Sequence, residues 1–175
     1  MNASHLTTSG LKTSAPAPAP AIAVDKLQAT LSQVITTMLG IGLDESNLFP
    51  PDQHLSPPVY DSRILASSVR FSGGWRGLCV VSCEAEVAKE LTYRFLGLLA
   101  DSPDEILSEI RDCMGEVANI VGGNVKSLLP RGVDHSIPCF EAPESGWGEV
   151  ILSTAFNCSA GPLWVSLIRE VQPLA

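Results

Sequence analysis

The sequence predicts an α+β fold in two layers, in which a mostly antiparallel sheet carries its helices on one face. Helical and strand-like segments occur in blocks, as one helix, two strands, two helices and three strands, rather than in strict strand–helix alternation. The chain has 175 residues, of which 45% are hydrophobic and 17% charged, and this composition is typical of one globular domain.

The N-terminal residues differ in composition from the rest. The segment "SAPAPAPAIA" alternates Ala and Pro, so it lacks donors for a regular hydrogen-bond ladder and favours extended polyproline II. We assign residues 1–22 to a disordered Ala/Pro-rich tail, with a docking tether as the alternative. Residues 23–175 are assigned to the folded domain.

The first helix is predicted to begin with Asp25 as its N-cap and to end at Gly40 and Gly42. Its apolar face is formed by Leu27, Leu31, Val34, Ile35, Met38 and Leu39. The next segment, "FPPDQHLSPPVYDSR", is too rich in Pro for a central strand and is expected to cross the surface.

A β-hairpin is predicted after this connection. The segments "ILASSVRF" and "GLCVVSC" are rich in β-favouring residues, and "SGGWR" separates them. Gly73 and Gly74 are expected to supply the positive φ angles of the turn.

Two helices are predicted next. The segment "EAEVAKELTYRFLGL" has helical spacing of its apolar residues Val87, Leu91, Phe95 and Leu98. The longer helix is expected to run from about Pro103 to Leu129, because Ser102 can cap it and Glu105 lies three residues beyond the cap.

Three closing strands are predicted in "HSIPCFEAP", "EVILSTAFNC" and "LWVSLIREV", which lie between Gly and Pro breaks. The segment "NCSAGP" indicates a second hairpin turn.

Charge and cysteine content narrow the function. A net charge of -8 without basic clusters argues against nucleic-acid binding and against anionic membranes. No apolar run has membrane-spanning length and no secretory leader is evident, so we expect a cytoplasmic protein. The odd number of cysteines in apolar surroundings predicts reduced, buried thiols and no zinc site; they are Cys79, Cys83, Cys113, Cys139 and Cys158.

The sequence offers no clear nucleophile or phosphate-binding loop that would indicate another class of enzyme. Ser72 has no predictable base, His54 lies in the Pro-rich segment, and "SGGWRG" lacks the Lys and Ser/Thr of a phosphate-binding loop. The tryptophans, Trp75, Trp147 and Trp164, are better explained by packing than by base stacking.

The longer helix combines an apolar stripe with a polar row. The stripe contains Leu107, Ile110, Met114, Val117, Val121, Val125 and Leu128. At 100° per residue, Asp112, Glu116, Asn119 and Gly123 lie together on the opposite side. A solvated helix face would explain the acidic residues. The pair Gly122 and Gly123 costs on the order of 2 kcal/mol in a helix interior, which indicates that something approaches closely there.

The polar row and the continuation "NIVGGNVKSLLP" resemble the signature helix of the CheC, CheX and FliY family of chemotaxis phosphatases, which hydrolyse the phospho-aspartate of the response regulator CheY. The order of predicted elements over residues 25–171 is also similar. In the same frame the first helix offers only Ala29, Gln33, Thr36 and Gly40, which cannot repeat the chemistry. With one functional copy, the chain is most similar to the CheX branch.

The resemblance implies roles for the row. Asn119 would orient the attacking water at a CheY-like receiver, and Glu116 would meet the receiver's lysine. Asp112 and Gly123 would support the helix or the interface. Mg²⁺ is expected in the receiver's active site, and the chain is expected to have no cofactor or metal of its own.

Two alternatives to an enzyme stay open at this point. In the first alternative the domain is a receiver-binding adaptor without turnover, and in the second it is a dimerisation module. A homodimer through sheet edges is expected from the resemblance, with the apolar segments "EVILSTAF" and "LWVSLIREV" as the candidate edges.

Overall fold

The computed structural model describes residues 24–39, 58, 60, 62–97, 99–143 and 148–171. The elements are α1 (Val24–Leu39), β1 (Ile64–Gly73), β2 (Gly77–Glu84), α2 (Ala85–Leu96), α3 (Pro103–Leu128), β3 (Val133–His135), β4 (Gly148–Cys158) and β5 (Gly161–Glu170). The tail and most of the Pro-rich segment lie outside the described residues. None of the helices in the described ranges is long and apolar enough to cross a membrane.

The five strands form one sheet in the order β3-β1-β2-β5-β4. Every neighbouring pair is antiparallel, and the pairs β1–β2 and β4–β5 are hairpins. All three helices contribute to the core on one face of the sheet. The predicted α+β class, with a two-layer antiparallel architecture, is therefore confirmed.

Strand alternation separates the two faces of the sheet. On β2, Cys79, Val81 and Cys83 belong to the core beneath the helices, whereas Val80 belongs to a smaller cluster on the opposite face. Tyr60 packs against that smaller cluster, and burial raises the pKa of its hydroxyl. The central strands thus carry buried side chains on both faces of the sheet.

The β1–β2 turn differs in one detail from the sequence prediction. Gly73 has a φ of 95°, as expected, but Gly74 does not adopt a positive φ. A Cβ on Gly73 would lie 2.2 Å from the carbonyl oxygen of Gly132, so this position requires glycine for space as well. Trp75 is buried in the turn and packs edge-on against Phe71.

The first two helices correct two predictions. Helix α1 begins at Val24, so Asp25 lies in its first turn instead of capping it. On α2, Phe95 is 37% exposed because the buried face turns to Val87, Ala88 and Leu91. The side chains of Met38 and Leu39, with Gly40, Gly42 and Leu98, lie outside the described residues.

Helix α3 confirms the predicted start. The Ser102 side chain accepts a hydrogen bond from the backbone N–H of Glu105 at 3.3 Å, and its hydroxyl donates to the Glu105 carboxylate at 2.8 Å. Along the predicted apolar stripe, Leu107 is an exception, because it is 41% exposed. The helix ends at Leu128, within one residue of the prediction.

The prediction of a strand in "HSIPCFEAP" was wrong. The pairing strand β3 ends at His135, and in the described residues 136–143 that follow, the one isolated bridge joins Cys139 to Ser68. Pro138 has no N–H to donate and interrupts the ladder. The segment from Ser136 to Phe140 therefore lies along β1 as an irregular chain, and this irregularity matters for the site described below.

Glu90 connects α2 to the β4–β5 turn. Its carboxylate accepts hydrogen bonds from the Ser159 hydroxyl and, at 2.9 Å, from the backbone N–H of Ala160, and it pairs with Arg94 at 2.5 Å. The hydrogen bond from Ser159, with help from Arg94 and Ala160, lowers the pKa of Glu90. The ionised form is therefore favoured by folding.

We predict that Glu90→Gln lowers stability at neutral pH by about 1 kcal/mol, because hydrogen bonds to a charged acceptor at a partly screened site are weakened. A depressed folded pKa contributes stability above the unfolded value of about 4.3, and that contribution is lost as pH falls through the folded pKa. The free energies of unfolding of wild type and Glu90→Gln, measured with denaturant, should therefore become equal at acidic pH. Glu86→Gln, which alters only an exposed pair with Lys89, is the control. An equal loss at all pH values would contradict this role.

Candidate functional site

The C-terminal part of helix α3 packs closely against strand β1. A Cβ on Gly122 would lie 2.2 Å from Cγ2 of Val69, whose side chain is fully buried and β-branched. At Gly123, by contrast, no described atom lies within 4 Å of the corresponding position, apart from its chain neighbours and the adjoining backbone of α3. The contact with the sheet fixes the rotation of the helix and directs the opposite side of α3 to solvent.

The polar row lies on that outer side, as predicted. Asp112, Glu116 and Gly123 are exposed, and Asn119 is half-buried. The close approach that the glycine pair predicts is present at Gly122, where the chain's own strand β1 makes it. Of the two glycines, Gly123 is the one that leaves the outer surface of the helix without a side chain.

Asn119 faces a crevice of about 400 Å³ between α3 and the irregular segment after β3. The crevice is lined by Ser67, Arg111, Asp112, Gly115, Glu116, Asn119, Pro138 and Phe140. Three of the four row residues are thus brought together, and Gly123 lies outside the crevice. Because Gly115 has no side chain, no side chain projects from the helix into the crevice between Arg111 and Asn119 at that position.

The wall opposite α3 is held to β1 by backbone hydrogen bonds. Cys139 and Ser68 exchange two bonds of 2.8 Å, and the N–H of Ser136 donates to the carbonyl of Arg70 at 2.8 Å. Phe140 packs against the core and fixes the end of the segment. The crevice therefore has rigid walls on both sides.

The side chains of the polar row that line the crevice make no polar contact with the described part of the chain. Within the described residues, Asp112, Glu116 and Asn119 have no side-chain hydrogen bond or ion pair. Elsewhere on α3, Glu105 bonds to Ser102 and Glu109 accepts from the N–H of Ala100, whereas Asp104 is exposed and has no side-chain hydrogen bond or ion pair within the described residues. What distinguishes Asp112, Glu116 and Asn119 is therefore their shared place in the crevice as well as their lack of partners.

The sequence did not predict the floor of the crevice, formed by Ser67, or the wall opposite α3, formed by Pro138 and Phe140. Ser67 is fully buried, and its hydroxyl has no partner among the protein atoms of the described residues. Pro138 and Phe140 come from a segment assigned to a regular strand. No periodicity in the sequence connects these residues to α3, because only the tertiary fold places them beside it.

The cysteines do not compete for a catalytic role. All five are free, and Cys79, Cys83 and Cys113 are buried as predicted, whereas Cys139 is exposed. Burial raises the pKa of Cys79 and of Cys83 to about 12, so both thiols stay protonated at neutral pH. In the ranges that the structure describes, no group of three or more His, Cys, Asp or Glu side chains is arranged to hold a metal ion.

Comparison with known families agrees with this geometry. The family model described as "Chemotaxis phosphatase CheX" matches residues 65–145, a span that contains α3 and the whole crevice. No curated protein is significantly similar in sequence to this chain. The predicted resemblance to the chemotaxis phosphatase family is thus confirmed, and the matching model is that of CheX.

Several solved structures share the fold. CheX of Vibrio vulnificus is 21% identical with a TM-score of 0.59, covering 84% of this chain and 95% of its own. CheX of Borrelia burgdorferi, in a complex with CheY, BeF3 and Mg²⁺, is 18% identical with a TM-score of 0.64, covering 85% and 97%. A CheC-like superfamily protein from Shewanella is 20% identical with a TM-score of 0.62, covering 85% and 97%.

The two neighbouring glycines of α3 are predicted to respond oppositely to alanine. Gly122→Ala should lower the free energy of unfolding by roughly 1–3 kcal/mol, because the new methyl group collides with Val69 in a packed core. Gly123→Ala should raise it by up to about 1 kcal/mol, because alanine is the better helix former and no atom is displaced. Thermal and denaturant unfolding of the two variants and of wild type measure both changes in stability. Stability of Gly122→Ala equal to wild type would contradict the described seating of α3.

Proposed function

We propose that this protein is a CheX-type phosphatase that hydrolyses the phospho-aspartate of a CheY-like receiver domain in the cytoplasm. The observation that carries the proposal is the half-buried Asn119 carboxamide, which has no hydrogen-bond partner among the described residues and faces the crevice beside Glu116. A carboxamide both donates and accepts, so it can hold a water molecule in one orientation.

The chemistry needs little more from this chain. A phosphorylated receiver brings its own Mg²⁺ and lysine, which neutralise the charge of the transferring phosphoryl group. The step is attack of water oxygen on phosphorus with cleavage of the bond between phosphorus and the aspartyl oxygen, giving phosphate and the free carboxylate. Asn119 orients the water and is not a strong base. Neither a metal nor a cofactor of its own is required.

Glu116 and Asp112 provide the acidic part of the docking surface. Glu116 lies one turn from Asn119 and is exposed, so it can meet the receiver's lysine and fix the register of the helix. Asp112 has no hydrogen bond within the described residues, which favours a role at the interface over support of the helix. Gly123 leaves room for the partner's backbone.

The partner is inferred from the shared fold. The Borrelia relative of this fold was crystallised with CheY, BeF3 and Mg²⁺. Fluoroberyllate on an aspartate imitates a phosphoryl group, so we take a phosphorylated receiver with bound Mg²⁺ as the substrate here. A receiver-binding adaptor would share this surface and differ only in turnover.

Asn119→Ala should reduce receiver-dependent phosphate release by on the order of 10², the scale for losing one preorganised polar group at a reacting centre. Binding to a receiver loaded with BeF3⁻ and Mg²⁺ should change much less, and the thermal midpoint should stay the same or rise because alanine favours helix. Glu116→Ala is the matched comparison: it should weaken binding as well as turnover, and its effect should shrink at high salt. A folded Asn119→Ala variant with near-normal activity would refute the proposed mechanism and favour the adaptor.

We also propose a homodimer through the edge of β4. Strand β5 pairs with both β2 and β4, so of the two candidate segments only β4 lies at an edge. Its outer side is unpaired with any strand in the described part of the chain, and it extends over 11 residues. Two such edges related by a two-fold axis would join the sheets of both subunits.

Val150→Lys should weaken this association, because Val150 is 41% exposed on the edge strand and a lysine there opposes strand pairing. Val171→Lys, an exposed site beyond the end of β5, is the control. Sedimentation equilibrium should show a dimer for wild type and for Val171→Lys, with a larger monomer fraction for Val150→Lys. A monomeric wild type at micromolar concentration would contradict the dimer and leave the phosphatase proposal intact.

A further inference from the structure

The crevice contains a cation that the signature row does not account for. Arg111 lies one residue before Asp112, and its guanidinium carbon is 5.4 Å from the centroid of the Phe140 ring. This separation falls within the range of a cation–π contact, so one face of the guanidinium is held on the ring. Phe140 is itself packed against the core, and the contact therefore connects Arg111 to the rigid wall of the crevice.

Arg111 also differs from most of the other basic side chains. Arg76, Lys89 and Lys126 each form an ion pair with a carboxylate. Arg94 and Arg169 do so as well. Arg111 is exposed and has no ion pair within the described residues, although the chain as a whole has a charge of -8. An unpaired arginine in an acidic protein, fixed at the rim of the site, is placed to receive an anionic group.

Its position on α3 defines which part of a partner it meets. Arg111, Gly115 and Asn119 follow one another at intervals of four residues and all line the crevice. At a rise of 1.5 Å per residue, Arg111 and Asn119 are about 12 Å apart along the helix axis. Because its side chain is held over Phe140, about two helical turns from Asn119, Arg111 is expected to meet the partner beside the reacting group.

We propose that Arg111, held by Phe140, is a second receiver-contacting element that pairs with a carboxylate at the rim of the receiver's Mg²⁺ site. This inference rests on the proposed function. A site that holds Mg²⁺ is built from carboxylates and adjoins the phosphoryl group, so its rim is acidic. The free edge of the guanidinium offers parallel N–H donors to such a carboxylate. Glu116 and Arg111 would then present opposite charges to a partner that carries a lysine and an acidic rim, and this fixes its orientation.

The test uses a CheY-like receiver that the wild-type protein dephosphorylates, measured as binding to the BeF3⁻ and Mg²⁺ form and as phosphate release at saturating receiver. Arg111→Gln should raise the dissociation constant about tenfold and reduce its dependence on salt, while kcat stays within about twofold. Arg111→Lys should recover part of the affinity. Phe140→Leu keeps apolar bulk but removes the ring, and it should weaken binding less than Arg111→Gln.

Arg131→Gln is the matched control, because Arg131 is an exposed arginine in the turn after α3, away from the crevice. Combining Phe140→Leu with Arg111→Gln should add little to Arg111→Gln alone, since both act through one contact. If Arg111→Gln binds as tightly as Arg131→Gln, this inference is wrong while the phosphatase proposal stands. A large loss of kcat with unchanged binding would also overturn it, because Arg111 would then act on the reacting atoms. If wild type neither binds nor dephosphorylates any receiver, the proposed function itself fails.

Discussion

The contact between Gly122 of α3 and Val69 of β1 determines how the rest of the site is presented. It brings the helix so close to the sheet that even a methyl group at position 122 would collide with Val69, and this limits the rotation of α3. The polar row must then face outward, and Asn119 must face the crevice. A helix held at an ordinary distance by a larger residue could rotate about its axis, and the proposed orientation of a water molecule by Asn119 would then lose its alignment.

The second constraint is the attachment of the segment from Ser136 to Phe140 to the edge of β1. Because this segment is irregular yet hydrogen-bonded at both ends, it can stand as a wall beside α3 without extending the sheet. Free polar side chains are thus placed between two rigid surfaces. This arrangement suits the proposed catalysis, in which this protein would supply orientation and the partner most of the charge.

Much of the fold could be read from the sequence, because periodicity, the Ser102 cap and the turn glycines are local signals. The row of Asp112, Glu116 and Asn119 was equally readable, since one helix face carries it. The far wall was not, because Phe140 meets α3 only in the tertiary structure and Pro138 breaks the strand that its neighbours suggest. For the same reason the sequence predicted a close approach at the Gly122 and Gly123 pair without showing that, at Gly122, it is made by a strand some fifty residues earlier.

The most direct test of the central claim is phosphate release under multiple turnover. A phosphorylated CheY-like receiver, kept phosphorylated by a small-molecule phosphodonor, is mixed with far less than one equivalent of this protein. The account predicts steady release of many phosphates per molecule of the protein, at a rate proportional to its concentration. Binding without acceleration, or protection of the phospho-aspartate, would contradict catalysis and identify the domain as an adaptor that reads the phosphorylated state.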